Sequence, residues 1–255
     1  MGKAVILFNL GGPDKLESVE PFLFNLFNDP AIISIPSIIR YPLAKFISKK
    51  RAPIAKNIYK EIGNKSPILE LTQEQATSLE KSLSAKGNYK CFVVMRCWHP
   101  RAIDVIKKVK EFNPEEIILL PLYPQFSAAT SGSSINEWSD LCKKENFNVK
   151  TKTICCYPTE SNFIKSHANL IKKINQNIEN KNFKLLFSAH GLPEIKIKRG
   201  DPYQWQVEET VGKIMLELED MNLDHTISYQ SRVGPLKWIG PSTDDEIIKY
   251  SKEKR

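Results

Sequence analysis

The residues best suited to chemistry lie together near position 190. An apolar run, Lys184-Leu185-Leu186-Phe187, leads into Ser188-Ala189-His190, and Gly191 and Pro193 break the chain directly afterwards. A short apolar run bounded by turn residues reads as a strand buried on both faces. Open parallel sheets keep their ligands at the carboxyl ends of their strands, and His190 stands at such an end. With an unperturbed pKa of about 6.5, an imidazole there is neutral near pH 7 and can accept a proton or bind a divalent metal. The plainer reading of the same residue is a ring satisfied by a backbone carbonyl.

A second candidate is the turn Gly11-Gly12-Pro13, which follows an apolar run at 4–8. A glycine pair lets backbone approach a ligand closely. No G-x-G-x-x-G follows, and no acidic residue closes a second strand about twenty residues on, so a dinucleotide site is poorly supported. The other histidines carry less. His99 lies between Trp98 and Pro100 and reads as structural, while His167 and His225 fall on a helix and in a polar turn. Trp238 either lines a cleft or packs on its own domain.

Positioning these groups requires alternating strands and helices. Apolar runs at 4–8, 91–96, 117–122, 151–156, 184–190 and 226–231 predict strands. Amphipathic stretches near 18–28, 71–86, 101–111, 133–145, 161–180, 203–221 and 242–252 predict helices. Such alternation builds βαβ units with right-handed crossovers around parallel sheets. A length of 255 residues suits two such sheets. The polar stretch Phe147–Lys150 marks the expected division, giving domains at 1–148 and 149–255. The segment 21–47 differs: Pro21 to Phe27 and Ala31 to Ile39 carry apolar residues that predict either a greasy lip for a ligand or lipid, or two short helices packed on the sheet.

Composition narrows the class. Lys and Arg number 37 against 29 Asp and Glu, for a net charge of +8. Nucleic acid, an anionic membrane surface or a small acidic ligand would suit that balance, but no nucleic-acid-binding motif is present. The lysines are spread over helices, with one dense cluster at Lys49-Lys50-Arg51. Five cysteines, at 91, 97, 142, 155 and 156, form no C-x-x-C pair. A disulfide between the adjacent Cys155 and Cys156 would strain the backbone. This is a reduced, cytoplasmic pattern with no zinc or iron–sulfur framework, so no cofactor is expected. The first strand lacks a signal-peptide cleavage site. The charge-free run 117–136 is broken by Pro121 and Pro124 into strand and loop, so a soluble protein is expected.

The turn motifs also form an ordered series. Asn9-Leu10-Gly11-Gly12-Pro13, Lys50-Arg51-Ala52-Pro53, Gly63-Asn64-Lys65-Ser66-Pro67 and Met95-Arg96-Cys97-Trp98-His99-Pro100 come first. Leu122-Tyr123-Pro124-Gln125-Phe126-Ser127 and Thr130-Ser131-Gly132-Ser133-Ser134 follow. Ser188 to Pro193, Arg199-Gly200-Asp201-Pro202-Tyr203 and Tyr229 to Trp238 complete it. From residue 4 to about residue 248 this series resembles the ferrochelatases, which insert ferrous iron into protoporphyrin IX to form protohaem, the last step of haem biosynthesis.

The resemblance implies two Rossmann-like, chelatase-type domains with parallel sheets flanked by helices and a porphyrin cleft between them. It matches His190 to the catalytic histidine at the metal, as iron ligand or as acceptor of a pyrrole proton. Leu10 matches a residue lying against the macrocycle. Arg51, Tyr59 and Ser66 match residues holding the porphyrin's edge, where a guanidinium can pair with a propionate in bidentate fashion. Arg96 and Tyr123 are expected to end neighbouring strands and face the same cleft. Without the resemblance, Arg51 is a charge on a solvated face and Tyr59 is plain packing. The implied substrates are protoporphyrin IX and Fe²⁺. Residues 21–51 are the expected peripheral contact with the inner face of the membrane.

Two positions depart from the family pattern. Cys97 stands where an aromatic hydroxyl residue is common. The family also continues past Trp238-Ile239-Gly240-Pro241 into a further buried strand, which ends in a catalytic glutamate, and then into a helix. Glu246 and Glu253 precede that strand and do not substitute. The alternative expectation is therefore an inactive porphyrin-binding remnant.

Overall fold

The computed structural model describes residues 2–178, 183–232 and 234–252. The end of the helix expected over 161–180, Val233, Glu253 and the last residues of the chain lie outside the described residues. Two compact units are present: residues 1–123 with 128–156, and residues 124–127 with 157–255.

The first unit is built on a parallel sheet of β1 (Lys3–Asn9), β2 (Tyr89–Met95), β3 (Glu116–Pro121) and β4 (Lys150–Thr153), in the order β2-β1-β3-β4. Strand side chains alternate between faces, and both faces of this sheet are covered, which explains the unbroken apolar run of β1. On one face Ala4, Ile6 and Phe8 pack with α4 (Ala102–Phe112) and with Trp138 of α5 (Ser133–Lys144). On the other, Val5 and Leu7 pack on Ala76, Leu79 and Leu83 of α3 (Ile68–Leu83). The register pairs Asn9 with Met95 and Phe8 with Pro121, so three strands finish at one level. Leu10, Arg96 and Tyr123 follow just beyond.

The second unit holds a two-stranded parallel sheet of β5 (Leu185–His190) and β6 (His225–Gln230), with His190 opposite Gln230. Leu185 and Phe187 pack with Ile164 and Ala168 of α6 (Ser161–Gln176) and with Ile214 of α8 (Tyr203–Leu216). Val207, Tyr229 and Ile239 form a second cluster beside Ala189 and Leu192. The short α7 (Glu194–Lys198), a 3-10 turn (Glu219–Met221) and the α9 helix (Thr243–Lys252) complete the described elements of this unit.

Three expectations need correcting. The apolar run 151–156 is not all strand: β4 ends at Thr153, and its four residues, Lys-Thr-Lys-Thr, are the exposed edge of the first sheet. Pairing with β3 draws this strand into the first unit, so the division falls after Cys156 rather than at 147–150. Finally, where two short helices were an option for the lip region, one is short and the other long. After α1 (Val19–Phe27), a single helix α2 runs 25 residues, Ser37–Glu61, with Pro42 and Pro53 inside it.

The packing of α2 explains how it was missed. Its buried residues are Ala44, Ser48 and Ala52, a narrow stripe of small side chains four apart. Nearly opposite, at 3.6 residues per turn, runs an exposed row: Ile38 at 82%, Phe46 at 65%, Ile54 at 67% and Ile58 at 61% of full exposure. Apolar residues on two sides leave no single amphipathic face to read.

Candidate active site

The rim beyond β1, β2 and β3 is cross-linked by backbone and charge. The Arg96 and Cys97 amides donate to the carbonyls of Asn9 and Leu10. Gly11 has φ +86°, a conformation that favours glycine, and a Cβ there would lie 3.1 Å from Trp98 and Met95. A Cβ on Gly12 would fall 2.5 Å from Ser66, whose amide donates to the Pro13 carbonyl. The glycine pair therefore lets two of the chain's own loops close on each other. Leu10, Tyr59 and Trp98 pack around Val19, Phe22, Leu23, Ala52 and Cys97 in one apolar cluster. The Cys97 thiol is buried and pushed up to about 12 by desolvation, so it acts there as an apolar filler.

Arg96 is held by charge. Its guanidinium lies 3.1 Å from Asp29 and 3.0 Å from Glu137, and its Nε donates to Ser133 Oγ at 2.7 Å. Ser133 in turn donates to Asp29 at 2.6 Å, and Arg101 meets Glu137 at 2.7 Å. Asp29 is 3% exposed. Buried charges are tolerated when paired and hydrogen-bonded, and this network satisfies both partners. Tyr123 stands at the end of β3. Burial raises its phenol well above the usual value, and its hydroxyl faces that of Ser134 outside hydrogen-bond geometry.

In the second unit, His190 is exposed at the last position of β5. Its Nδ1 lies 2.8 Å from the Gly191 carbonyl oxygen. A carbonyl only accepts, so Nδ1 donates, and the neutral tautomer compatible with this bond has its lone pair on Nε2. The two readings of this residue are thus compatible: one nitrogen is satisfied by backbone and the other is left to act. The His190 backbone also contacts the hydroxyl of Tyr203. Gly191 is closely covered, since a Cβ there would lie 3.0 Å from the Gln230 carbonyl and 3.2 Å from the Trp238 ring. Trp238 therefore packs on the turn that fixes His190. Among the described residues there is no group of three or more His, Cys, Asp or Glu side chains placed to hold a metal.

A family model named Ferrochelatase matches residues 2–255. The chain belongs to the ferrochelatase family. A ferrochelatase of Pelagibacter ubique is 68% identical to it, over 99% of this chain and 74% of that protein. Ferrochelatases of Rickettsia bellii and a Wolbachia strain are each 51% identical; they cover 96% and 98% of this chain, which in turn spans 68% and 80% of their lengths.

For this ferrochelatase-family chain, the first unit gathers Leu10, Tyr59, Ser66, Arg96 and Tyr123 around its sheet rim. Arg51 projects from α2 with its guanidinium 5.8 Å from the centre of the Phe27 ring. Arg96 and Tyr123 do not end neighbouring strands, because β1 lies between β2 and β3. Arg96 is also committed to two carboxylates rather than left to meet a ligand's. Sequence reasoning missed Asp29, Glu137 and Tyr203. Asp29 and Glu137 lie far along the chain from Arg96, and no local pattern joins them. Tyr203 closes the Arg199-Gly200-Asp201-Pro202 motif, whose ordered place in the series was the available signal.

Proposed function

We propose that this chain inserts ferrous iron into protoporphyrin IX to give protohaem, with His190 as the reacting side chain. The single observation that carries the reading is the Nε2 lone pair of His190, left open at a strand end because Nδ1 donates to the Gly191 carbonyl. Two pyrrole N–H protons must leave for each Fe²⁺ that enters the ring. A neutral imidazole can accept such a proton or hold the ion beside the macrocycle. Leu10 lies against the macrocycle in this proposal, Arg51 pairs with a propionate, and Tyr59 and Ser66 supply contacts at its edge. Tyr123 borders the same site. Arg96 enters as a positioning residue that fixes the strand ends through Asp29 and Glu137.

Identity of 68% over nearly the whole chain favours an active enzyme over an inactive porphyrin binder. The test is anaerobic incubation with Fe²⁺ and protoporphyrin, followed by haem absorbance. His190→Ala should lower turnover by about 10²–10⁴-fold, the usual worth of a general base. Unchanged turnover in that variant would remove His190 from the reaction. Arg51→Ala should weaken quenching of the protein's fluorescence by porphyrin while leaving the fold intact.

We also propose peripheral contact with an anionic membrane through α2. No helix among the described residues is long and apolar enough to cross a membrane. The exposed row Ile38, Phe46, Ile54 and Ile58 shares its helix with Arg40, Lys45, Lys49, Lys50, Arg51, Lys56 and Lys60. Apolar insertion together with attraction to acidic headgroups suits such a helix. Cosedimentation with phosphatidylserine vesicles should fall with salt and in Phe46→Ser/Ile54→Ser. Equal binding to phosphatidylcholine vesicles would contradict the electrostatic part.

A further inference from the structure

Cys155 and Cys156 follow the last strand of the first sheet, where the chain passes from the first unit to the second. Cys155 is exposed and Cys156 half-buried. Their sulfurs stand 3.1 Å apart in thiol–thiol contact. A disulfide bond is about 2.05 Å long, so closure needs a movement of about 1 Å.

We propose that Cys155 and Cys156 form a vicinal dithiol modification site, closed to a disulfide by a hydroperoxide and reopened by thiol exchange. The Cys155 thiolate attacks a peroxide oxygen, the O–O bond breaks, and water leaves after protonation, giving a sulfenic acid. The Cys156 sulfur then displaces the hydroxyl from Cys155, forming the S–S bond and releasing a second water. Overall, two thiols and one hydrogen peroxide give one disulfide and two waters, with two electrons passing from sulfur to oxygen.

The backbone around the pair suits a reversible bond. Adjacent Cα atoms are held about 3.8 Å apart, below the 4.4–6.8 Å typical of disulfides. The closed form is therefore strained, and strained, exposed disulfides have oxidising potentials and are readily reduced. Residues 154–157 lie outside strand and helix, so the ring can close without breaking a sheet ladder. Firm anchors bracket them, the Ile154 amide on the Leu119 carbonyl and the Tyr157 amide on that of Pro124. The remaining cysteines are poor competitors. Burial pushes the thiols of Cys91 and Cys142 up to about 11 and that of Cys97 to about 12, and the thiolate is the form that reacts.

The test treats the full chain with stoichiometric hydrogen peroxide, alkylates it, and maps its tryptic peptides. The peptide from Thr153 to Lys165 carries both sulfurs. It should lose two hydrogens and take up no alkyl group, while Cys91, Cys97 and Cys142 are alkylated as before. Dithiothreitol should restore both alkylation sites. In Cys156→Ser, dimedone should trap a sulfenic acid at Cys155. Phenylarsine oxide, which bridges paired thiols, should bind the parent chain and neither Cys155→Ser nor Cys156→Ser. Full alkylation of both residues after peroxide, or arsenical binding that survives both substitutions, would overturn the proposal.

Discussion

The two sheets of this molecule are built to different standards. In the first, β1 lies between two neighbours and buries Ala4 to Phe8 in succession. The rim above it is tied by the Asp29–Arg96–Glu137 network. In the second, none of the six residues of β5 is fully buried. His190 is oriented there by a few local contacts: the Gly191 carbonyl, the Trp238 ring over that glycine, and Tyr203. The difference teaches a division of labour. A rim proposed to receive the body of a large planar ligand is over-determined by packing and charge. His190, proposed to exchange a proton or an ion, has one side-chain hydrogen bond and stands exposed at its strand end.

The sharpest way to break this contrast is to remove a charge from each unit. Asp29→Ala leaves Arg96 short of a buried partner, and losses of about 3–5 kcal/mol accompany such half-broken pairs. Lys184→Ala removes a cation, itself 14% exposed, and leaves behind Asp224, which is 49% exposed and stays hydrated without it. Pairs of that kind are worth about 0–1 kcal/mol. Urea unfolding monitored separately in each unit should show this gap. Equal costs would mean that the rim network is no stiffer than a surface pair.

A smaller gap should separate truncations in the two central strands. Ile6 is fully buried, and Ile→Ala in packed cores costs about 2–5 kcal/mol. Leu186 is only half-buried, so Leu186→Ala should fall below that range because less apolar surface leaves contact. Hydrogen exchange should agree, with β1 amides opening only on global unfolding and β5 amides opening locally. Equal protection would erase the distinction.

Legibility in the sequence follows the same contrast. β1 and β3 were readable because two covered faces leave an unbroken apolar run. β4 was misplaced because its own residues, Lys150 to Thr153, are polar at an exposed edge, while the apolar Ile154-Cys155-Cys156 beyond them is not strand. Helix α2 was unreadable for two reasons. Pro42 and Pro53 mimic breaks, and its buried stripe of Ala44, Ser48 and Ala52 carries no large apolar signal. At the site, the position of His190 was legible from strand punctuation alone. The parts assigned to Arg51 and Tyr59 came only from the family resemblance. The carboxylates around Arg96 were invisible, because ion pairing between distant segments leaves no periodic trace.

The mildest test uses acid. Glu116, at the start of β3, is 6% exposed and meets Lys152 at 3.0 Å, Lys150 at 3.3 Å and Lys3 at 3.4 Å. The close approach of the Lys152 ammonium is the largest cause that lowers its carboxyl, to about 2. In the second unit Glu194 is also lowered, chiefly by Lys237, but is 25% exposed and more open to screening. A carboxylate whose folded pKa is depressed stabilises the fold above its unfolded pKa, about 4.3, and loses that contribution as pH falls through the folded value. The first unit should therefore lose stability between about pH 4.3 and 2, and Glu116→Gln should flatten that limb. Glu194→Gln should flatten the second unit's acid limb less, and moderate salt should abolish its effect first. If both variants respond alike at high salt, the burial difference between the units does not extend to their ion pairs.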